Sequence, residues 1–160
     1  MSDELLAIAD RVVAQAQPGE EIEAFVARGG ETEIKVYGGE VEDFVSAMSE
    51  GVGIRVIRDG QTGFAYAGTL DETAVAEVLA EARDNLQFGS VDEHAGLAQP
   101  DGVAIAPQEL WSDAMAEFAT DAKIELALQL ERQVLAADDR IRIDAAHYAD
   151  AFGDAAVATT

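Results

Sequence analysis

Apolar residues recur first at helical and then at strand spacing along this chain. Leu5, Ile8, Ala9, Val12, Val13 and Ala16 repeat at three- and four-residue intervals, which predicts an opening amphipathic helix. Ser2 stands where an N-cap belongs, Asp3 and Glu4 favour the positive end of the helix dipole, and Gln17-Pro18-Gly19 ends the helix. From residue 22 the period drops to two. Ile22, Ala24 and Val26 alternate with Glu21, Glu23 and Phe25, and Ile34 shares a face with Val36. Phe44 and Val45 lie in a third run over 41–48, and Val52, Ile54 and Val56 in a fourth. Residues 62–66 make the fifth. Gly29-Gly30 and Gly38-Gly39 read as turns, and Asp59-Gly60 is a strong hairpin signal, because Gly takes φ > 0 without steric cost.

Beyond Gly68 the helical period returns. Val75, Val78, Leu79, Ala82 and Leu86 form one face, with Thr69 or Asp71 as cap and Thr69 with Glu72 as a capping box. Residues 88–110 hold two of the three prolines and no clear period, so they form a long connector. A second long helix is predicted over 121–136 with Ile124, Ala127, Leu128, Val134 and Leu135 as its stripe, and Trp111, Met115 and Phe118 packing on it. Arg140 to Asp144 alternates as a strand, pairing with another that carries Ala155, Val157 and Thr159 around Gly153. The fold class predicted is α+β: an antiparallel or mixed sheet of about six to seven strands, with an amino-terminal helix and two further helices packed on it.

Composition narrows the function. The chain has 160 residues, 49% of them hydrophobic, enough for one sizeable core, and no apolar run nears the roughly 20 residues of a membrane span. With an acidic start and no basic leader region, the cytoplasm is the expected location. The absence of cysteine removes disulfides, thiolate nucleophiles and Cys-based zinc sites. Thirty-two acids against ten Lys and Arg give a net charge of −22, which disfavours direct binding to nucleic acid or anionic membrane. A solvated acidic surface accounts for such a charge; a DNA-mimic surface is the sharper alternative.

Chemistry-bearing motifs are sparse. His94 and His147 lie too far apart in sequence for a helical zinc pair, and read as a surface and a structural histidine. Ser46, Ser49, Ser90 and Ser112 have neither a nucleophile-elbow context nor an evident base. Gly51-Val52-Gly53 lacks the third glycine and the helix of a dinucleotide fingerprint. Arg55 is the residue to single out. A guanidinium on a strand in an acidic chain suits either a bidentate grip on a substrate or partner-domain carboxylate, or an internal ion pair.

The stretch G-x-G-x-R-V-I-x-D-G-x-x-G-F-A beginning at Gly51 resembles the signature of the TldD/PmbA family, whose members include subunits of a metalloprotease. Its signature positions here are Gly51, Gly53, Asp59, Gly60, Gly63 and Phe64. The resemblance extends to the E-x-E-x-F-V strand, the G-G-E-V-E turn, L-W-S-D at Leu110 and the helix opening at Asp121. G-L-A-Q-P at Gly96 is similar to a linker of the PmbA-like branch.

The resemblance implies an amino-terminal domain covering residues 1–160, from a protein more than twice that length whose carboxy-terminal metalloprotease-like domain is not in this sequence. It implies a role as scaffold and wall of a peptide channel in proteolysis of unfolded or modified peptides, and assigns no catalytic residue here. Zinc is expected only in the carboxy-terminal domain of a TldD-like subunit, so this domain needs no cofactor. Its expected partners are its own carboxy-terminal domain, a TldD-like subunit and the peptide substrate, with strand addition at an exposed edge as one mode of peptide binding. The competing reading is a stand-alone acidic interaction module of gyrase-modulator or DNA-mimic type.

Overall fold

A computed structural model describes residues 2–104 and 106–160. The elements are helix α1 (Ser2–Val13), strands β1 (Glu21–Tyr37), β2 (Glu40–Arg58) and β3 (Gln61–Ala67), helices α2 (Glu72–Asn85), α3 (Asp113–Ala116) and α4 (Thr120–Ala137), and strand β4 (Ala146–Thr159). The predicted cap on Ser2 concerns a side chain outside the described residues. Among the described residues the strands form one four-stranded sheet in the order β3-β2-β1-β4. β2 and β3 are antiparallel, with Val52 opposite Ala67 and Arg58 opposite Gln61. β1 and β2 are joined by a two-residue turn. β4 runs antiparallel to β1, since the Thr160 N–H bonds the Ile22 carbonyl while Gly153 lies against Arg28.

The fold is therefore α+β, with four long strands in place of six or seven short ones. Gly29-Gly30 does not turn. Positive φ occurs at Gly38 and Gly39 (63° and 82°), as in a tight hairpin turn, but not at Gly29 or Gly30. Gly30 is instead a close approach: a Cβ there would lie 2.6 Å from Met48 Sδ and 2.7 Å from the Phe152 ring. The third and fourth runs likewise fuse into β2. Residues 140–144 are not a strand, because local bonds capture their polar groups. Ile141 N–H donates to Asp138 O, Arg140 pairs with the Asp138 carboxylate, and Arg142 donates to Asp139 O. The strand around Gly153 exists, but pairs with β1.

Packing divides the chain into two compact units, and β1, β2 and β4 each contribute a stretch to both. The first unit comprises Met1–Gly29, Ser49–Val103 and Gly153–Thr160. Its core joins Leu5, Ile8 and Val12 of α1 with Ile22, Ala24, Val26, Ile54 and Val56 of the strands and Val75, Val78 and Leu79 of α2. The predicted capping box of α2 is absent. Thr69 Oγ1 bonds Asp71 instead, and the helix start at Asp71 carries no side-chain cap.

The second unit comprises Gly30–Met48 and Ala104–Phe152. Ile34 and Val36 of β1, Ala127 of α4 and Ala146 of β4 form its core, flanked by Ile124, Leu128 and Tyr148. Val134 and Leu135 of the predicted stripe are exposed. Trp111 and Phe118 pack against Phe152 and Tyr148 of β4.

Candidate functional site: an aromatic-rimmed bowl

In the first unit Ile22, Ala24 and Val26 of β1 face α1 and α2, so the opposite phase defines an open face. There the alternation predicts polar residues, yet Phe25, Phe64 and Tyr66 occupy it and stand 48%, 54% and 77% exposed. They rim a bowl of about 620 Å³, whose floor includes Ala27, Gly29, Gly51, Gly53, Gly153 and Ala155. Small residues make that floor shallow and apolar. Phe64 and Tyr66 stack with centroids 6.2 Å apart and ring planes at 28°. A Cβ at Gly53 would sit 3.3 Å from the Phe64 ring, and one at Gly51 would meet the Ala67 carbonyl at 2.7 Å. Gly51 and Gly53 thus let β3 and its aromatic rings lie close across β2. At the edge of the bowl Arg28 bonds Glu50 at 3.0 Å and Glu4 at 3.4 Å.

The other signature residues lie elsewhere. Asp59 and Gly60 form the β2–β3 turn with φ of 52° and 76°. Gly63 faces α2, where a Cβ would collide with the Ala82 carbonyl and approach Leu86 N within 2.7 Å. Arg55 lies opposite Phe64, and its Nη2 donates to Glu23 Oε2 at 3.1 Å. Its Nε is buried and has no hydrogen-bond partner among the described residues.

Two further polar clusters escaped sequence reasoning. In the first unit Glu20 has no exposed side-chain surface. Arg83 donates to both its oxygens at 2.9–3.2 Å, Gln17 N–H donates at 2.9 Å, and Arg58 stands 3.6 Å away. Burial pushes this carboxyl up, but the Arg83 and Gln17 bonds and the two guanidinium charges outweigh it, leaving its pKa below the usual range. In the second unit Lys123 Nζ meets Asp150 Oδ2 at 2.7 Å and Thr32 Oγ1 at 3.4 Å, and the Tyr148 hydroxyl donates to Asp150. Burial, then the bond to Asp150, raises the Tyr148 pKa to about 12. Asp150 is pushed up by burial but held below its ordinary range by Lys123 and Tyr148. Only the off-phase aromatics signalled the bowl in sequence; the clusters had no signal, since their partners are remote along the chain.

The histidines do not assemble a site. His94 is exposed in the first unit near Glu93, and His147 is exposed in the second, beside Leu126 and Leu130 of α4. Among the described residues no cluster of three His, Cys, Asp or Glu side chains is placed to hold a metal ion. No helix among them is long and apolar enough to cross a membrane.

In the first unit the sheet carries α1 and α2 on one face and the aromatic-rimmed bowl on the other, within an α+β fold of recurring architecture. It matches a Thermotoga maritima protein described as a candidate modulator of a DNA gyrase, with TM-score 0.79 and 20% identity over 96% of this chain and 35% of that one. It also matches TldE from Thermococcus kodakarensis, with TM-score 0.75 and 17% identity over 99% of this chain and 34% of that one. Residues 22–86 match the family described as PmbA/TldA metallopeptidase domain 1. The metalloprotease PmbA homolog of Haemophilus influenzae is 32% identical over 102 residues, 64% of this chain and 23% of that protein. Together these likenesses support a TldD/PmbA amino-terminal domain. The chain spans about a third of the solved structures it matches and under a quarter of this curated relative.

Proposed function

We propose that this domain is the scaffold of a cytoplasmic TldD/PmbA-type peptidase subunit, of the metal-free PmbA-like branch, and that its bowl walls the path of an extended peptide. The observation that carries the reading is the bowl itself. Three exposed aromatic rings over a floor of small residues offer apolar side chains a surface without imposing sequence, which suits a protease acting on unfolded or modified chains. Relatives named as PmbA metalloproteases support the branch. In this reading catalysis and zinc belong to a TldD-like partner, the subunit's own second domain closes the channel, and Arg55, whose Nη2 holds Glu23, is a contact for a substrate or subunit carboxylate.

The test pairs binding with activity. An unfolded apolar peptide titrated into the 160-residue chain is expected to shift the amide resonances of Gly51, Gly53 and Phe64. Tyr66→Ala is expected to weaken that binding several-fold without unfolding the domain, since its ring is largely solvent-exposed. Zinc and hydrolysis appearing only when the full-length subunit is mixed with a TldD-like partner support the branch. Zinc in the subunit alone overturns it. No binding at the bowl and no hydrolysis in any combination supports the acidic interaction module instead.

A further inference from the structure

In the second unit one strand edge is left open. β3 pairs with β2 only over Val52 to Arg58, and β1 lies along the other side of β2. Residues 40–48 therefore have no strand on their outer side among the described residues, and their outward N–H and C=O groups form an unpaired row. Every side chain along this stretch is exposed. They include Val41, Phe44, Val45 and Met48, the last at 66%. α4 packs on Ile34, Val36 and Ala146 of β1 and β4, so the core of this unit does not draw on β2. Proline and lysine, two usual protections of an edge, are absent from this stretch, and its charges are the acids Glu40, Glu42 and Asp43, which repel an acidic edge but not a basic one.

We propose that residues 40–48 accept, by strand addition, an extended segment of a partner protein that carries basic residues towards one end and apolar residues towards the other. Charge selects that occupant. The stretch carries Glu40, Glu42 and Asp43, and only Glu42 is neutralised, by Lys35 at 2.6 Å. The chain as a whole has net charge −22, so a second copy approaches against repulsion over the whole surface, while a cationic segment is drawn in. The order of the stretch sets the order of the segment: Glu40, Glu42 and Asp43 stand at one end and Phe44, Val45 and Met48 at the other, each group on both faces of the pleat, so basic residues of an added strand meet the first group and apolar residues the second. The inference is independent of the peptidase reading, since it concerns the second unit and needs no bowl.

The experiment uses the 160-residue chain and a synthetic nine-residue peptide with Lys over one half and Val and Phe over the other. Its binding is expected to slow hydrogen exchange at the outward amides of 40–48, and to weaken as salt rises. The same peptide N-methylated on its pairing edge tests the backbone mechanism without touching the fold. Loss of its edge donors is expected to weaken binding by about tenfold or more. Equal binding by the N-methylated peptide, or by its Glu-for-Lys counterpart, overturns the proposal. So does protection located away from 40–48, or a free chain that sediments as a dimer with that edge already protected.

Discussion

Glu20 shows how one side chain in this acidic protein becomes structural. Its carboxylate is fully enclosed and takes bonds from Arg83 and Gln17 N–H with Arg58 close by, so it belongs to the folded state as an anion. Its folded pKa lies below the ordinary 4.5 of the unfolded chain. The stabilisation is therefore complete above that ordinary value and is lost as pH falls through the folded value. Glu20→Gln keeps the shape and removes the charge. It is expected to lower stability at neutral pH by about 1–3 kcal/mol in urea unfolding, with the Arg partners partly exposed, and to flatten the acid limb of the stability profile. An unchanged acid limb would sink this account. Tyr148 carries the opposite sign. Its pKa is raised from 10.0 to about 12, so stability from its neutral form is whole below pH 10 and is lost between pH 10 and 12. Tyrosinate absorbance during alkaline titration should show a late component that Tyr148→Phe removes.

At the scale of elements, α4 inverts the reading its sequence invites. Its bounds were legible, predicted as 121–136 and observed as Thr120–Ala137, because helical spacing fixes extent. Its buried face was only partly legible. The residues it buries are Lys123, Ala127 and Glu131, while Leu126, Leu130, Val134 and Leu135 stay exposed. Charges are tolerated there because each meets a partner far away in sequence: Lys123 meets Asp150, and Glu131 Oε1 and Oε2 accept the Gly38 and Gly39 N–H groups at 2.8 Å each. Such pairs leave no local pattern. The glycines show the same division. Asp59-Gly60 was readable as a turn from its own chemistry, whereas Gly30 became a turn in prediction because the Met48 sulfur and the Phe152 ring that cover it are remote in sequence. Strand count failed for that reason, and the bowl was legible only as aromatics on the polar phase. Glu131→Ala should strip two charge-assisted bonds from the β1–β2 turn. The expected result is a loss of about 1–3 kcal/mol and faster amide exchange at Gly38 and Gly39, with Glu131→Gln intermediate. Exchange unaltered in Glu131→Ala would show that the turn holds without the helix.

For the molecule as a whole, the charge excess sets the response to its medium. Thirty-two acids face ten Lys and Arg, so most carboxylates have no cationic partner and folding gathers them against their mutual repulsion. Added salt acts on two populations. It screens the unpaired acids, which stabilises, and it weakens the ion pairs, which destabilises. The enclosed pairs, Glu20 with Arg83 and Asp150 with Lys123, are shielded from bulk salt, while exposed pairs such as Arg140 with Asp138 contribute little at the outset. Relief of repulsion should therefore win. The Debye length falls from about 30 Å to about 10 Å between about 0.01 and 0.1 M salt, so the melting temperature should rise most steeply over that interval and then level off. Sodium chloride and potassium chloride should act alike, and an uncharged solute at matched osmolality should not reproduce the rise. A melting temperature that falls over the same interval would mean that attractive pairs dominate the surface, and would remove the charge argument against self-association of the β2 edge.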